Sequence, residues 1–220
     1  MKRTYEQSLT FFKHKTDSRG DGRELYKTPH RIIFRIVDNL LSECPELRQK
    51  HWIDPCAGDG RWENILRMFD INCESFDIKP LAPDVYTQDF LTSDFKGDCF
   101  FIGNPPFSML KQFVDKALSM AESCYFLGGS QIITGTLSDK VALLHRFTGA
   151  EGKQSDERSK VLFEDSNGCQ VPVWCCGALF ENGKHTGFWR CNHLYGFDRF
   201  AVSPKVFCVD DERIIRLKGN

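Results

Sequence analysis

The sequence lacks any long apolar run. None of its 220 residues belongs to a stretch approaching the ~18 consecutive apolar residues of a membrane-spanning helix. The opening, MKRTYEQSLTFFKHKTDSRGDGRE, is too polar for a secretory signal peptide. We therefore expect a soluble, intracellular protein, cytoplasmic or nuclear, with no membrane partner. With 41% hydrophobic residues, the chain can bury one sizeable core, and its length favours a single domain.

Paired Cys-x-x-Cys spacings are also missing, although the chain contains ten cysteines. Without a secretion signal, these thiols are expected to be reduced and mostly buried. The last quarter of the chain holds six residues of types that bind zinc: Cys169, Cys175, Cys176, His185, Cys191 and His193. Adjacent Cys175 and Cys176 should point to opposite faces of a strand, so we expect no metal site.

The charge is distributed unevenly, although the net charge is only -1. Residues 1–35 carry nine Lys/Arg against four Asp/Glu, and residues 183–220 carry seven against four. Basic ends of this kind suit a polyanion whose phosphates need neutralising. A nucleic acid is therefore one candidate partner, although solvated termini are often basic for no such reason.

Short apolar runs alternate with helical patterns, and no internal repeat is present, which predicts an α/β fold. Thr28 and Pro29 offer an N-cap and a first helical residue, and the apolar spacing that follows predicts a helix over 30–43. Strands are predicted at HWIDPC (51–56), CESFDI (73–78), VYTQDF (85–90), DCFFIGN (98–104) and CYFLGG (124–129). KVLFED and VPVWCCGALF, joined through SNGCQ, predict an antiparallel hairpin.

A glycine-containing turn follows the first predicted strand. Gly58 and Gly60 permit positive φ and let a ligand approach the backbone. Asp54, at the strand's end, could accept hydrogen bonds from an ammonium group. A dinucleotide-binding fingerprint would have a third glycine where Glu63 stands, which disfavours an NAD-linked oxidoreductase.

Carboxylates end the next two predicted strands. Asp77 lies 17 residues beyond Gly60, close to the ~20-residue offset of acidic residues that bind ribose hydroxyls. Asp89 could accept a hydrogen bond from an adenine amine while Phe90 packs on the base. An ordinary strand-end aspartate and a core phenylalanine would also explain this second pair.

The strongest signal is Asn104-Pro105-Pro106-Phe107, at the end of a predicted parallel strand, where ligands bind in open α/β sheets. The side-chain oxygen of Asn104 and the carbonyl of Pro105 could accept both N–H groups of an aromatic amine and so orient its lone pair. Phe107 could stack on the base. Asparagine is not a base near neutral pH, so catalysis would rest on orientation and electrostatics.

Together these motifs resemble the amino-methyltransferase branch of the class I S-adenosylmethionine enzymes, above all N6-adenine DNA methyltransferases. DPCAGDG resembles their cofactor loop, FDIKP their ribose-binding strand end, QDF their adenine contact, NPPF their catalytic loop, and YKTP their upstream cofactor segment. The resemblance covers roughly residues 26–180. It implies a target site of Asn104, Pro105, Pro106 and Phe107. It implies a cofactor site of Lys27, Thr28, Pro29, Asp54, Pro55, Cys56, Ala57, Gly58, Gly60, Asp77, Ile78, Asp89 and Phe90.

The resemblance also implies a Rossmann-like methyltransferase fold, with a mostly parallel seven-stranded sheet and a C-terminal antiparallel hairpin. We expect a basic arm at 1–27, an S-adenosylmethionine-dependent domain at 28–182 and a C-terminal extension of it at 183–220. The expected reaction is methylation of adenine N6 in DNA. RNA adenine, cytosine N4 and protein glutamine remain alternative targets, as does a non-catalytic nucleic-acid-binding role. No large target-recognition domain follows the core, which leaves room for a partner subunit or a homo-oligomer.

Overall fold

The computed structural model describes residues 25–129, 132, 137–147, 160–165, 168–183 and 190–194. Most of the basic arm and of the C-terminal extension therefore lies outside the described residues, as do His185 and the charged segment 151–159. No helix in the described ranges is both long enough and apolar enough to cross a lipid bilayer.

Among the described residues, three α-helices pack against the sheet: α1 His30–Glu43, α2 Arg61–Arg67 and α3 Leu110–Leu118. The apolar positions that predicted α1 are all buried: Ile32, Ile33, Ile36, Val37, Leu40 and Leu41. The cap differs from the prediction, because Pro29 rather than Thr28 is the N-cap residue, and its carbonyl accepts hydrogen bonds from the main-chain N–H groups of Ile32 and Ile33. Short 3-10 turns lie at Pro45–Gln49, Phe90–Thr92, Phe107–Met109 and Ser138–Lys140.

Ten strands are described. They are β1 His51–Asp54, β2 Cys73–Asp77, β3 Tyr86–Thr87, β4 Cys99–Gly103, β5 Ser123–Gly128, β6 Val141–Phe147, β7 Lys160–Glu164, β8 Gln170–Trp174, β9 Cys176–Glu181 and β10 Arg190–Leu194. Eight form one sheet in the order β10-β6-β9-β5-β4-β1-β2-β3, and β7 and β8 form a separate two-stranded sheet. Every pairing in the large sheet is parallel except those of β9, which runs antiparallel to both β5 and β6.

The side chains of the central strands alternate between two buried cores. Trp52, Phe100 and Tyr125 point to the core beneath α1 and α2, which we call the first core. Ile53 and Phe101 point to the core beneath α3, which we call the second core. This two-residue alternation is what a sheet covered on both faces requires.

The chain order creates a crevice between β1 and β4. From β1 the chain builds β2 and β3 on one side, then crosses back to add β4 and β5 on the other. Because parallel strands end at the same edge, Asp54, Asp77 and Gly103 all terminate there. Open α/β sheets bind ligands at such a switch point.

Several details of the sheet differ from the sequence prediction. The third strand is only Tyr86–Thr87, because the chain turns at Asp89 into a 3-10 turn. The predicted hairpin exists as β7 and β8, but it stands apart from the main sheet, and VPVWCCGALF divides into β8 and β9. The main sheet has eight strands rather than seven because β10 adds to the edge of β6. Strands β6 and β10 were not predicted.

Candidate functional site

A cavity of about 280 Å³ opens at the carboxyl edge of the sheet between β1 and β4. It is close to the lower limit of about 300 Å³ that is usual for small-molecule sites. Its walls come from the segment before α1, the loop after β1, the ends of β2 and β3, and the loop after β4. The lining residues are Leu25, Tyr26, Lys27, Thr28, Pro55, Cys56, Ala57, Gly58, Asp59, Arg61, Trp62, Asp77, Ile78, Gln88, Asp89, Phe90, Leu91, Asn104, Pro106, Ser108, Met109 and Phe113.

The turn after β1 is held against the end of β2. Gly58 and Gly60 have φ values of 56° and 78°, in the left-handed region that favours glycine. The main-chain N–H of Gly58 donates to Oδ2 of Asp77 at 2.9 Å, and that of Lys79 donates to its Oδ1 at 2.8 Å. Asp77 is therefore fixed in position, while each oxygen keeps a further lone pair for a ligand hydroxyl.

The residue that replaces the third fingerprint glycine has a structural partner. Glu63 is buried and accepts a hydrogen bond from Oγ of Ser75 on β2 at 2.7 Å. It also forms an ion pair with Arg67 one helical turn later. A polar contact between α2 and β2 thus takes the place of close glycine packing.

Asp54 lies beneath the cavity rather than on its wall. Its side chain is fully buried, and its Oδ1 accepts the main-chain N–H of Cys56 at 3.1 Å. Its Oδ2 has no hydrogen-bond partner among the described residues. Burial raises the pKa of Asp54 well above its usual range, although the Cys56 hydrogen bond opposes this shift. A cationic donor beside Oδ2 would favour the ionised carboxylate.

Asp89 and Phe90 occupy a turn at the adjoining wall. Oδ1 of Asp89 accepts the main-chain N–H of Leu91 at 3.0 Å, so this carboxylate caps the 3-10 turn. Phe90 is 2% exposed and packs on Phe101 and Phe113, with ring centroids 5.2 Å away in both cases. The wall near Asp89 is therefore rigid and largely apolar.

Asn104 follows β4 and reaches back to the segment before α1. Its Nδ2 donates to the main-chain carbonyl of Tyr26 at 2.7 Å. Its Oδ1 is buried and has no hydrogen-bond partner among the described residues. The cavity wall thus contains an oriented amide with an unused acceptor.

The other three residues of the NPPF segment differ in whether they line the cavity. Pro106 lines the cavity, and its carbonyl accepts the main-chain N–H of Met109 at 2.8 Å. Pro105 is buried and does not line the cavity. Phe107 packs against the first core and lies outside the lining, so its stacking role stays a prediction.

A cluster of four charges joins the hairpin to the cavity mouth. Lys27 pairs with Asp59 at 3.6 Å and with Glu164 at 3.2 Å, while Arg61 pairs with the same two carboxylates at 3.0 and 2.9 Å. Lys27 and Glu164 also exchange two main-chain hydrogen bonds. The hydrogen bond from Arg61 lowers the pKa of Glu164. Two cations and two anions make this ion cluster neutral.

Comparison with solved structures gives the fold. The structure resembles that of a Pyrococcus horikoshii protein proposed to be an RNA methyltransferase, with a TM-score of 0.51 and 13% identity over 72% of this chain and 86% of the other. The chain has a Rossmann-like methyltransferase fold. No protein-family model and no curated protein matches it.

Two further likenesses are weaker. The 23S rRNA methyltransferase ErmE gives a TM-score of 0.45 and 16% identity, over 73% of this chain and 71% of that enzyme. The type IIL restriction-modification enzyme MmeI gives a TM-score of 0.41 and 14% identity, over 83% of this chain and 37% of MmeI.

Most of the site residues expected from the sequence line this one cavity of the methyltransferase fold. Those that do not are Pro29, Asp54, Gly60, Pro105 and Phe107. Tyr26, Arg61 and Trp62 were not predicted as site residues, although Tyr26 begins the YKTP motif and Arg61 and Trp62 directly follow the DPCAGDG motif. Tyr26 could not have been recognised by type, because it acts through its main-chain carbonyl.

Of the six suspected zinc ligands, the four cysteines have side chains in the part of the chain that the structure describes. No three His, Cys, Asp or Glu side chains gather there in a way that could hold a metal ion. Cys175 packs into the first core and Cys176 into the second, so the two adjacent thiols do face opposite sides of the sheet.

Proposed function

We propose that this protein transfers a methyl group from S-adenosylmethionine to the exocyclic N6 amine of adenine in DNA. The observation that carries the proposal is the buried Oδ1 of Asn104, an oriented acceptor with no partner among the described residues. Burying an acceptor without a partner costs free energy, so a ligand that donates to it would be favoured. An amine is such a donor.

The chain's own residues fit the cofactor. Asp77 would accept the ribose hydroxyls, since both of its oxygens are fixed by main-chain N–H groups. Phe90 and Asp89, which line the cavity, would hold the adenine, and the buried carboxylate of Asp54 beneath the cavity would attract the ammonium of the amino-acid end. When bound, the cofactor supplies an electrophilic methyl group on a sulfonium.

Asn104 would orient the target and stabilise the charge that develops on it. An aromatic amine has its lone pair delocalised into the ring, so holding its N–H groups with acceptors localises the pair on nitrogen. The amide of Asn104 is fixed by Tyr26, so it needs no reorganisation as positive charge grows on the amine. The amide does not take up the proton, which would leave to water.

A binding and transfer experiment tests the proposal. The full chain is incubated with methyl-labelled cofactor and, in parallel, duplex DNA, single-stranded DNA, RNA and protein, and the products are digested and separated. We expect label in N6-methyldeoxyadenosine. Label in N6-methyladenosine would make RNA the substrate, and label in cytosine or glutamine would replace adenine as the target.

A further inference from the structure

Trp62 is a buried donor that no residue of the described chain satisfies. It is the second residue of α2, is only 3% exposed and lines the cavity. Its indole Nε1 has no hydrogen-bond partner among the described residues. Buried indole N–H groups usually have an acceptor, so the lack of one here indicates that a ligand supplies it.

Trp52 shows how this chain treats an indole that serves only the core. It is fully buried in the first core, and its Nε1 donates to the main-chain carbonyl of Leu47 at 2.7 Å. Trp62 belongs to the same core but also lines the cavity. The two tryptophans therefore differ in two ways that bear on ligand binding: only Trp62 lines the cavity, and only its N–H lacks an acceptor among the described residues.

The charged groups near Trp62 are already paired. Lys27 and Arg61 each contact both Asp59 and Glu164, so the ion cluster is balanced. An incoming carboxylate would have to compete with those acids for the two cations. The N–H of Trp62 faces no such competition.

The cavity also determines which end of the cofactor meets Trp62. In the sheet order β1-β2-β3, Asp77, the proposed ribose contact, ends the middle strand, whereas Trp62 follows β1 and Phe90 follows β3. A ligand with its base at Phe90 and its ribose at Asp77 extends its amino-acid end toward Trp62. An indole N–H can donate to the carboxylate at that end, whereas an ammonium accepts nothing.

We infer that Trp62 binds the carboxylate of the cofactor through Nε1. The inference rests on the proposed cofactor and adds a residue that determines its affinity. It also explains why a polar N–H is kept in the first core beside the glycine turn.

A ligand pair that differs by one group tests this role. The affinities of the wild type and of Trp62→Phe, which keeps an aromatic ring without the N–H, are measured by calorimetry. The two ligands are S-adenosylhomocysteine and its decarboxylated derivative, which keeps the amine. We expect Trp62→Phe to weaken S-adenosylhomocysteine binding about 10- to 100-fold, the range for a hydrogen bond to a charged group. Its affinity for the decarboxylated ligand should stay within about twofold of wild type, since no carboxylate is present.

Trp52→Phe is the matched control, because it removes a buried indole N–H away from the cavity. It should leave both affinities unchanged. Equal effects of Trp62→Phe on the two ligands, or no effect on either, would overturn the inference and leave the proposed cofactor in place. If the wild type binds neither ligand, the proposed cofactor fails and the inference fails with it.

Discussion

The side-chain amide of Asn104 donates a hydrogen bond to the main-chain carbonyl of Tyr26, 78 residues earlier in the chain. Only the nitrogen of the amide can donate to a carbonyl, so this contact also fixes Oδ1 as the free acceptor. The segment before α1 thereby orients a side chain at the end of β4. That relationship makes the target site depend on two distant parts of the sequence.

Replacing Asn104 should affect turnover rather than cofactor binding. Asn104→Ala removes an acceptor for the amine as positive charge develops, so we expect kcat to fall about 10²- to 10³-fold. Asn104→Asp should also lose activity, because it sets a carboxylate oxygen against the Tyr26 carbonyl. Steady-state kinetics measures the loss of kcat, and calorimetry measures cofactor affinity, which should stay unchanged.

Asn182→Ala is the matched control for this experiment. Its amide also donates to main-chain carbonyls, those of Leu118 and Ala121, but it does not line the cavity. Its kcat should equal that of the wild type. Full activity in Asn104→Ala would refute the proposed role of the amide.

Asp77→Ala should weaken cofactor binding by about 1.5 to 3 kcal/mol, the range for hydrogen bonds to a charged acceptor. The substitution removes the ribose contact and also releases the main-chain N–H of Gly58. Asp77→Asn keeps one acceptor oxygen and should lose less. Calorimetry with S-adenosylhomocysteine measures both, with the exposed Asp84→Ala as control. An unchanged affinity in Asp77→Ala would mean that ribose binds elsewhere.

Gly103→Ala should impair the cofactor site without removing any functional group. A Cβ at Gly103 would lie 2.6 Å from Oδ1 of Asp54 and 3.0 Å from Sγ of Cys56, so the buried carboxylate would have to shift. We expect cofactor affinity to fall at least about tenfold, comparable to losing one charged hydrogen bond. In Gly129→Ala the new Cβ would have only an ordinary contact, 3.9 Å from Phe107, and affinity should hold. Equal affinities in the two variants would show that the position of Asp54 is unimportant.

His145 should make the protein less stable in mild acid. It is fully buried, and its Nε2 donates to Oδ1 of Asn39 at 2.8 Å, so its Nδ1 accepts from the Tyr125 hydroxyl at 2.9 Å. The Asn39 oxygen also accepts from Asn192, which fixes it as the acceptor. Burial lowers the pKa of His145 from 6.5 to about 3. Between those values the unfolded chain binds a proton that the folded chain does not, so stability falls as pH falls.

The expected loss is about 1.4 kcal/mol per pH unit well below pH 6.5. Urea unfolding of the wild type and His145→Gln at pH 7.5, 5.5 and 4.5 measures this loss. The free energy of unfolding should fall less steeply with decreasing pH in the variant than in the wild type. His30 contributes with the same sign in both proteins, because burial and Arg61 lower its pKa. If the free energy of unfolding falls equally steeply with decreasing pH in the wild type and in His145→Gln, the lowered pKa of His145 is not the cause of the acid sensitivity.

The basic N-terminal arm should hold substrate phosphates. Residues 1–24 lie outside the described residues, and the prediction rests on their charge alone. Removing them should weaken nucleic-acid binding and flatten its dependence on salt, because fewer counterions are released. Cofactor affinity should hardly change. Binding titrations at several salt concentrations measure the slope, and an unchanged slope would make the arm irrelevant to binding.

The sequence by itself determined the features that depend on neighbouring residues. The apolar spacing of α1 matches its buried face, and the glycine turn after β1 has the positive φ values that its composition suggested. Carboxyl-end residues such as Asp77 and Asn104 could be placed at one edge because parallel strands share their direction. Local periodicity and strand polarity are sufficient for such predictions.

Only the tertiary structure decided which distant segments meet. It placed β9 between β5 and β6, separated the β7–β8 hairpin from the main sheet, and joined Tyr26 to Asn104. It also packed Phe107 against the first core and left Trp62 without a partner among the described residues. These outcomes depend on long-range packing and on main-chain groups that every residue type carries, so no local pattern in the sequence specifies them.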